Sequence, residues 1–112
     1  MQLEPMAALR LWHRAMVSAL NRDLPDLTQR QLALLLQVYL EPPPHTVRGL
    51  AVTLNISKPA VTRALDRLSA EGFLTRKIDQ ADKRSVLVER TVKGSVFLRD
   101  FGDMVGTLAA DP

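Results

Sequence analysis

Two short stretches of the sequence carry polar and cationic side chains that could contact nucleic acid. The first is Ser57-Lys58-Pro59, followed by Thr62 and Arg63. Arginine can bind guanine through two hydrogen bonds, and threonine can contact a phosphate or the methyl group of thymine. The second is Asp82-Lys83-Arg84, in which the carboxylate is close enough in sequence to orient the guanidinium of Arg84. An oriented arginine can enter a narrow minor groove, where the negative potential is concentrated.

These cations also have a simpler structural explanation. Arg63 and Arg67 could lie on a solvated helix face, paired with Asp66 or Glu71, and Arg84 could form a surface ion pair of little energetic value. We favour DNA contact for Arg63 and Arg84 and leave Arg67 open between the two interpretations. The predicted DNA-binding set is Ser57, Lys58, Pro59, Thr62, Arg63, Arg67, Lys77, Asp82, Lys83 and Arg84, with phosphates held by Lys58, Arg63, Lys77 and Lys83.

Two helices joined by a tight turn are predicted to present the first stretch. Thr46 is expected to cap a helix that ends at Asn55, a residue suited to the left-handed conformation that closes a helix. Ser57 is the N-cap of the next helix, and Gly72 ends it. The core stripe of that helix is predicted to be Val61, Ala64, Leu65 and Leu68.

A β-hairpin is predicted to carry the second stretch. Residues 74–78 and 85–90 are strand-like, and Val86 and Val88 alternate with Leu87 and Glu89 as in a half-buried strand. Residues 79–84 join the strands and put Arg84 near the tip. A helix-turn-helix followed by such a wing is typical of small DNA-reading domains. The predicted fold class is therefore mainly α with a small β-hairpin wing, a winged helix-turn-helix.

Three further helices are predicted around this pair. The first covers residues 5–22 and has a wide apolar arc, which suggests a second buried surface. The next begins after the N-cap Thr28, has Gln31 as its capping-box partner, and ends at Glu41 before three prolines. Thr91 is expected to cap a last helix that ends near Ala110. The core face of the second helix is predicted to be Leu32, Leu35, Leu36 and Tyr39.

The segment from Asp79 to Gly94 resembles the wing signature of MarR-family winged-helix regulators, a pattern close to D-P-x-D-R-R-x-x-x-V-x-L-T-x-x-G. Residues 50–57 with Val61-Thr62-Arg63 are similar to the helix-turn-helix of that family, and the resemblance extends over about residues 9–94. It implies a homodimer on a pseudo-palindromic operator, usually a repressor released by a small ligand. It also implies that the fourth helix lies in the major groove, while Arg84, positioned by Asp82, enters the minor groove.

Two features depart from the family pattern. Arg90 stands where the family has leucine, which predicts a side chain that reaches water or pairs with an acid. Only residues 92–112 follow the wing, so we expect a reduced C-terminal dimerisation region. Within a single domain, 1–112, residues 28–90 are the predicted DNA-binding core and the helices at 5–22 and 91–110 the candidate dimerisation elements. The expected surface combines the first helix with Val96, Phe97, Phe101, Met104, Val105 and Leu108.

Composition narrows the remaining function classes. The chain has 112 residues and a formal net charge of +3, a balance that suits a polyanionic partner. The absence of cysteine excludes disulfides and thiolate zinc sites and fits a cytoplasmic protein, and no apolar run approaches the roughly 20 residues of a membrane span. With only His13 and His45 as histidines, and no catalytic triad or phosphate-cradling loop, we expect no metal site, no cofactor and no enzymatic activity.

The prediction for function is a sequence-specific regulator that binds double-stranded DNA as a homodimer, most simply a ligand-responsive repressor. The alternative is a winged helix used for protein–protein assembly without DNA-binding activity. Trp12, His13, Met16 and Tyr39 could line a pocket for a small-molecule effector. Apolar stripes at helical spacing are more often core, however, and we expect these four side chains to be core.

Overall fold

The computed structural model describes residues 2–110, which form five helices and one two-stranded sheet. Met1, Asp111 and Pro112, the ends of the predicted single domain, lie outside the described residues. The residues divide into two compact units, one comprising residues 27–97 and the other residues 2–26 with 98–110. The elements are α1 (Pro5–Asn21), α2 (Gln29–Leu40), α3 (Val47–Leu54), α4 (Lys58–Ala70), β1 (Leu74–Ile78), β2 (Val86–Arg90) and α5 (Val92–Ala110).

The helix boundaries follow local capping chemistry and confirm the sequence prediction. At the start of α2, Thr28 Oγ1 accepts a hydrogen bond from the Gln31 amide at 3.2 Å, and Gln31 Oε1 accepts one from the Thr28 amide at 2.9 Å. Asn55 closes α3 in the left-handed conformation, with φ 54° and ψ 48°. Gly72 follows α4 with φ +79°, a value that favours glycine because it has no Cβ. The turn between α3 and α4 therefore begins at Asn55, whose left-handed backbone closes α3.

The core of the unit formed by residues 27–97 lies between α2, α3, α4 and the hairpin. The predicted stripe of α4 is confirmed, since all four of its side chains are buried. The predicted core face of α2 is confirmed only at Leu35. The other fully buried side chains are Leu34 and Val38, whereas Leu32 and Leu36 are half-buried. Apolar side chains fill α2 so densely that their spacing does not single out one face.

The hairpin, which we call the wing, is antiparallel, with Leu74 opposite Arg90 and Ile78 opposite Val86. The segment before α3 also pairs with the wing through an isolated bridge: Thr46 lies opposite Leu87, and the Val88 amide donates to the His45 carbonyl at 2.8 Å. The start of α3 is thereby fixed to the wing.

Arg90 is exposed, as one of its two predicted alternatives requires, but it is also held by backbone groups. Its Nε donates to the Val38 carbonyl at 2.9 Å and its Nη2 to the Glu41 carbonyl at 3.0 Å. The guanidinium also lies 5.7 Å from the centre of the Tyr39 ring. Rather than pairing with an acid, Arg90 binds carbonyl groups at the C-terminal end of α2, which lack helical partners and carry the negative end of the helix dipole.

The terminal unit contains α1 and residues 98–110 of α5. Among its described residues only Ala15 and Met104 are buried. The expectation that Trp12, His13 and Met16 are core is wrong, because all three are exposed and Trp12 retains 59% of its accessible surface. Leu9 and Leu20 are exposed as well, so α1 presents an apolar face that the described residues leave uncovered.

Within residues 2–110, no helix combines the length and the apolar character needed to cross a membrane.

Candidate nucleic-acid interface

The outward side of α4 carries the residues predicted to read DNA. Ser57 caps the helix, with its Oγ accepting a hydrogen bond from the Ala60 amide at 3.2 Å. Past this cap, a row of exposed side chains follows the helical repeat, and we call it the reading face: Lys58, Pro59, Thr62 and Arg63. The first helical turn combines the positive end of the helix dipole with the Lys58 ammonium, which favours an anion such as a phosphate.

Arg67 lies apart from the reading face. It is half-buried, and its Nε contacts Glu71 Oε1 at 3.3 Å, one turn further along α4. Pairing with Glu71 is the structural interpretation of Arg67 that the sequence leaves open beside DNA contact. Asp66 instead contacts Arg76 of β1, with 2.9 Å between Oδ1 and Nη2. Sequence reasoning missed Arg76, which connects α4 to the wing.

The tip of the wing, residues 79–85, is organised around Asp82. Its Oδ1 accepts a hydrogen bond from the Arg84 amide at 3.1 Å and contacts Arg84 Nε at 3.4 Å, while Ser85 Oγ donates to Oδ2 at 3.3 Å. The Arg84 side chain is 93% exposed. The carboxylate thus contacts Nε of the guanidinium and leaves the two terminal nitrogens of Arg84 available to a partner.

The charges of the wing are arranged unevenly. Hydrogen bonds from the Arg84 backbone and side chain hold the pKa of Asp82 below its ordinary value, and the charge of Arg48 lowers the pKa further. Lys77 forms an ion pair with Glu89, with 3.2 Å between Nζ and Oε2, and is therefore partly neutralised. Lys83 is exposed beside Arg84 at the tip. The tip therefore presents two exposed cations, Lys83 and Arg84, next to the carboxylates of Asp79 and Asp82.

A model of the MarR family matches residues 25–85, which include α2, α3, α4, β1 and most of the wing tip. The chain belongs to the MarR family.

Solved MarR-like structures reproduce the architecture of this MarR-family chain. The transcriptional repressor CouR, solved bound to a 23-mer DNA duplex, is 27% identical with a TM-score of 0.75, and the match covers 95% of this chain and 72% of CouR. The regulator Tm0710 of Thermotoga maritima is 26% identical with a TM-score of 0.71, covering 95% and 69%. The S. aureus MepR–DNA complex is 20% identical with a TM-score of 0.77, and the match covers 92% of this chain and 82% of MepR. At this identity the likeness supports the fold alone. The winged-helix fold predicted from the sequence is confirmed.

The residues suggested for an effector pocket are placed in different surroundings. Trp12, His13 and Met16 are exposed on α1 in the terminal unit. Tyr39 belongs to the other unit, and its hydroxyl is engaged with backbone groups: it accepts from the Thr91 amide at 2.9 Å and lies 2.8 Å from the Phe73 carbonyl. Through these contacts Tyr39 joins α2 to Phe73 and to the residue before α5.

Possible metal ligands do not converge in the part of the chain that the structure describes, where no group of three or more His, Asp or Glu side chains is placed to hold a metal ion. His45 is buried, and its Nε2 lies 3.1 Å from the Glu41 carbonyl.

Proposed function

We propose that this MarR-family chain is a sequence-specific regulator of transcription that binds double-stranded DNA as a homodimer. In this proposal the reading face of α4 lies in the major groove and Arg84 enters the adjacent minor groove. The two DNA-binding units of the dimer, one from each chain, bind half-sites about 10 bp apart, which is one helical turn of DNA. The protein acts as a cytoplasmic repressor and has no catalytic role.

The observation that carries the proposal is the geometry of Asp82 and Arg84. A carboxylate that accepts hydrogen bonds from both the backbone and the side chain of Arg84 orients the guanidinium while the side chain stays 93% exposed. An isolated surface ion pair contributes about 0–1 kcal/mol, so stability is a weak reason for this arrangement. A narrow minor groove is a suitable partner for an exposed, oriented cation.

Support also comes from the other contact surface. The reading face is exposed along one side of α4, and the Asp66–Arg76 ion pair connects the same helix to the wing. CouR, with 27% identity over nearly the whole of this chain, was solved with a DNA duplex on the same fold. A protein-assembly role would not require the oriented Arg84.

The test is binding of purified protein to duplex DNA over a range of salt concentrations. We expect Arg84→Ala to weaken binding to fragments selected from genomic DNA by about 1–3 kcal/mol and to flatten the salt dependence. The matched control is Arg99→Ala, which removes an exposed arginine of α5. Circular dichroism checks that both variants are folded.

Two results would contradict the proposal. Wild-type protein that shows no salt-dependent affinity for any duplex would favour the protein-assembly alternative. Folded Arg84→Ala protein with unchanged affinity would remove the wing from the interface.

The proposal extends to release by a small ligand. Trp12, His13 and Met16 of α1, on the side proposed for the dimer interface, are the side chains to test for this response, because a ligand bound there would change the environment of the tryptophan. A compound that lowers DNA affinity without altering Trp12 fluorescence would exclude this location.

A further inference from the structure

Arg48 follows directly on a segment of the chain that pairs with the wing. Thr46 is bridged antiparallel to Leu87, and the His45 carbonyl accepts from the Val88 amide. In an antiparallel pair, advancing along one strand means moving back along the other. The chain at residues 45–46 therefore runs toward the wing tip, and Arg48 follows two residues after the bridge, in the first turn of α3.

The electrostatics of Asp82 support this placement. The Arg48 charge contributes to lowering the pKa of Asp82, in addition to the contacts made by Arg84 and Ser85. Arg48 is exposed, and the ion pairs found among residues 2–110 do not include it. One carboxylate thus lies in the field of two arginines, and the group retains an excess of one positive charge.

A positive charge at position 48 does not stabilise α3. A cation in the first turn of a helix opposes the positive end of the helix dipole, and α3 has no acidic residue there to offset it. An anionic partner outside the chain would remove this conflict.

We propose that Arg48 is a second DNA-contacting arginine of the wing, and that it binds a backbone phosphate at the edge of the groove that Arg84 enters. The inference rests on the proposed function. A minor groove is bordered by the phosphates of both strands, so a cation at the side of the wing meets the backbone when the tip meets the groove. Arg48 then positions the wing without reading sequence.

The test uses three full-length variants, Arg48→Gln, Arg48→Lys and the control Arg99→Gln, with a labelled random-sequence duplex of about 30 bp, three helical turns. Each phosphate contact contributes about −0.9 to the slope of log K against log salt. We expect Arg48→Gln to make the slope less steep by about 1 for each copy that contacts DNA. Arg48→Lys should keep most of the slope, because a phosphate accepts a point charge, and Arg99→Gln should match wild type.

The results separate the inference from the proposed function. If wild-type protein has no salt-dependent affinity, the proposed function fails and Arg48 loses its role with it. If wild type binds and Arg84→Ala weakens binding, but Arg48→Gln has the wild-type affinity and slope, the inference alone is overturned.

A double-mutant comparison tests whether Arg48 acts only through Asp82. In an Asp82→Asn background, a direct phosphate contact predicts that Arg48→Gln still reduces the slope by about 1 per contacting copy. Loss of that reduction would mean that Arg48 merely orients Asp82, which would contradict the phosphate contact.

Discussion

At the scale of single residues, Asp82 shows how a short loop can prepare a cation for a partner. The carboxylate binds the Arg84 amide and Nε through the same oxygen and leaves its second oxygen to Ser85. Since the amide contact fixes the backbone of the tip, the side chain emerges in a set direction even though it is almost fully exposed. Orientation here comes from a local turn rather than from burial.

The protonation of Asp82 gives a direct test of this arrangement. Hydrogen bonds from the Arg84 backbone and side chain depress its pKa below the ordinary 3.8, so we expect the Asp82 carboxyl to titrate below that value when followed by carbon NMR. In Arg84→Ala the midpoint should rise toward 3.8 while staying below it, because the backbone hydrogen bond remains. Equal midpoints in the two proteins would contradict the side-chain contact.

The sign of the pH effect on stability follows from the same depression. The charged carboxylate stabilises the tip at pH values above the unfolded pKa of 3.8, and the stabilisation disappears as the pH falls through the lower folded pKa. The difference in thermal stability between wild type and Asp82→Asn should therefore be constant from about pH 5 to pH 8 and shrink in stronger acid. A difference that changed near pH 6 would point to another group.

Arg90 provides a prediction about stability. Arg90→Leu introduces the residue of the family pattern but removes the donor to the Val38 carbonyl and one of the two side chains that contact the Glu41 carbonyl, the other being His45. Hydrogen bonds from a charged group contribute about 1.5–3 kcal/mol, so we expect a loss of about that size in the free energy of unfolding, measured with urea. Arg76→Leu is the control, since its exposed ion pair with Asp66 should contribute about 1 kcal/mol or less. Equal losses in the two variants would contradict the capping role.

At the scale of elements, the start of α5 is joined to α2 and to the end of α4 by a small polar network. Thr91 Oγ1 donates to the Gly72 carbonyl at 2.7 Å and accepts from the Gly94 amide at 2.9 Å. Tyr39 adds its contacts to Phe73 and Thr91, and the rings of Phe73 and Phe97 stack with centres 4.4 Å apart. These contacts fix the first turn of α5 to α2 and to the end of α4.

This junction requires glycine at position 94. A Cβ there would overlap with the Tyr39 hydroxyl and the Phe73 carbonyl, and one of the two is backbone. We expect Gly94→Ala to lower the free energy of unfolding by about 1–3 kcal/mol, as overpacked sites usually do.

Gly102→Ala is the matched control, since the same substitution in the same helix meets no atom within 4 Å. Replacing an unhindered helical glycine should stabilise the protein by up to about 1 kcal/mol. Opposite signs for the two variants in denaturant unfolding are the expected outcome. A stabilised Gly94→Ala would show that the junction can open to accept a methyl group.

The sequence predicted those elements whose boundaries depend on local chemistry. Thr28, Asn55 and Gly72 each act through their own backbone or a neighbour within a few residues, and all three end or begin helices where expected. The ion pair of Arg76 with Asp66 and the influence of the Arg48 charge on Asp82 depend on how separate elements pack, which no local pattern encodes. The same holds for Arg90, whose partners are 49 and 52 positions away.

At the scale of the whole molecule, the terminal unit carries an apolar surface that residues 2–110 leave exposed. The largest side chains on that side of α1 are exposed, with Leu9 retaining 60% of its surface and Trp12 59%. Periodicity indicated an apolar arc on α1 but could not tell whether the arc is covered within the chain, because a core face and an interface have the same spacing. A second copy of the chain, as in the proposed homodimer, would bury this surface and gain about 25 cal/mol for each Å² of apolar area removed from water.

Trp12 makes the proposed dimer measurable, because it is the only tryptophan of the chain. We expect wild-type protein to sediment as a dimer and to emit at a shorter wavelength than an exposed tryptophan would. Leu9→Glu places a carboxylate in the interface, where burial of an unpaired charge is costly, and should weaken dimerisation by roughly 100-fold, about 2.7 kcal/mol. Its emission should shift to longer wavelength as the monomer becomes dominant.

Leu40→Glu is the control for this substitution, since Leu40 is 73% exposed but lies on α2 in the other unit. It should sediment and emit like wild type, because the charge falls outside the proposed interface. If α1 forms the dimer, Leu9→Glu should also lose the affinity that comes from binding two half-sites at once, while each DNA-binding unit keeps its reading face and wing intact. A Leu9→Glu protein that remains dimeric would place the dimer interface on a surface other than this face of α1.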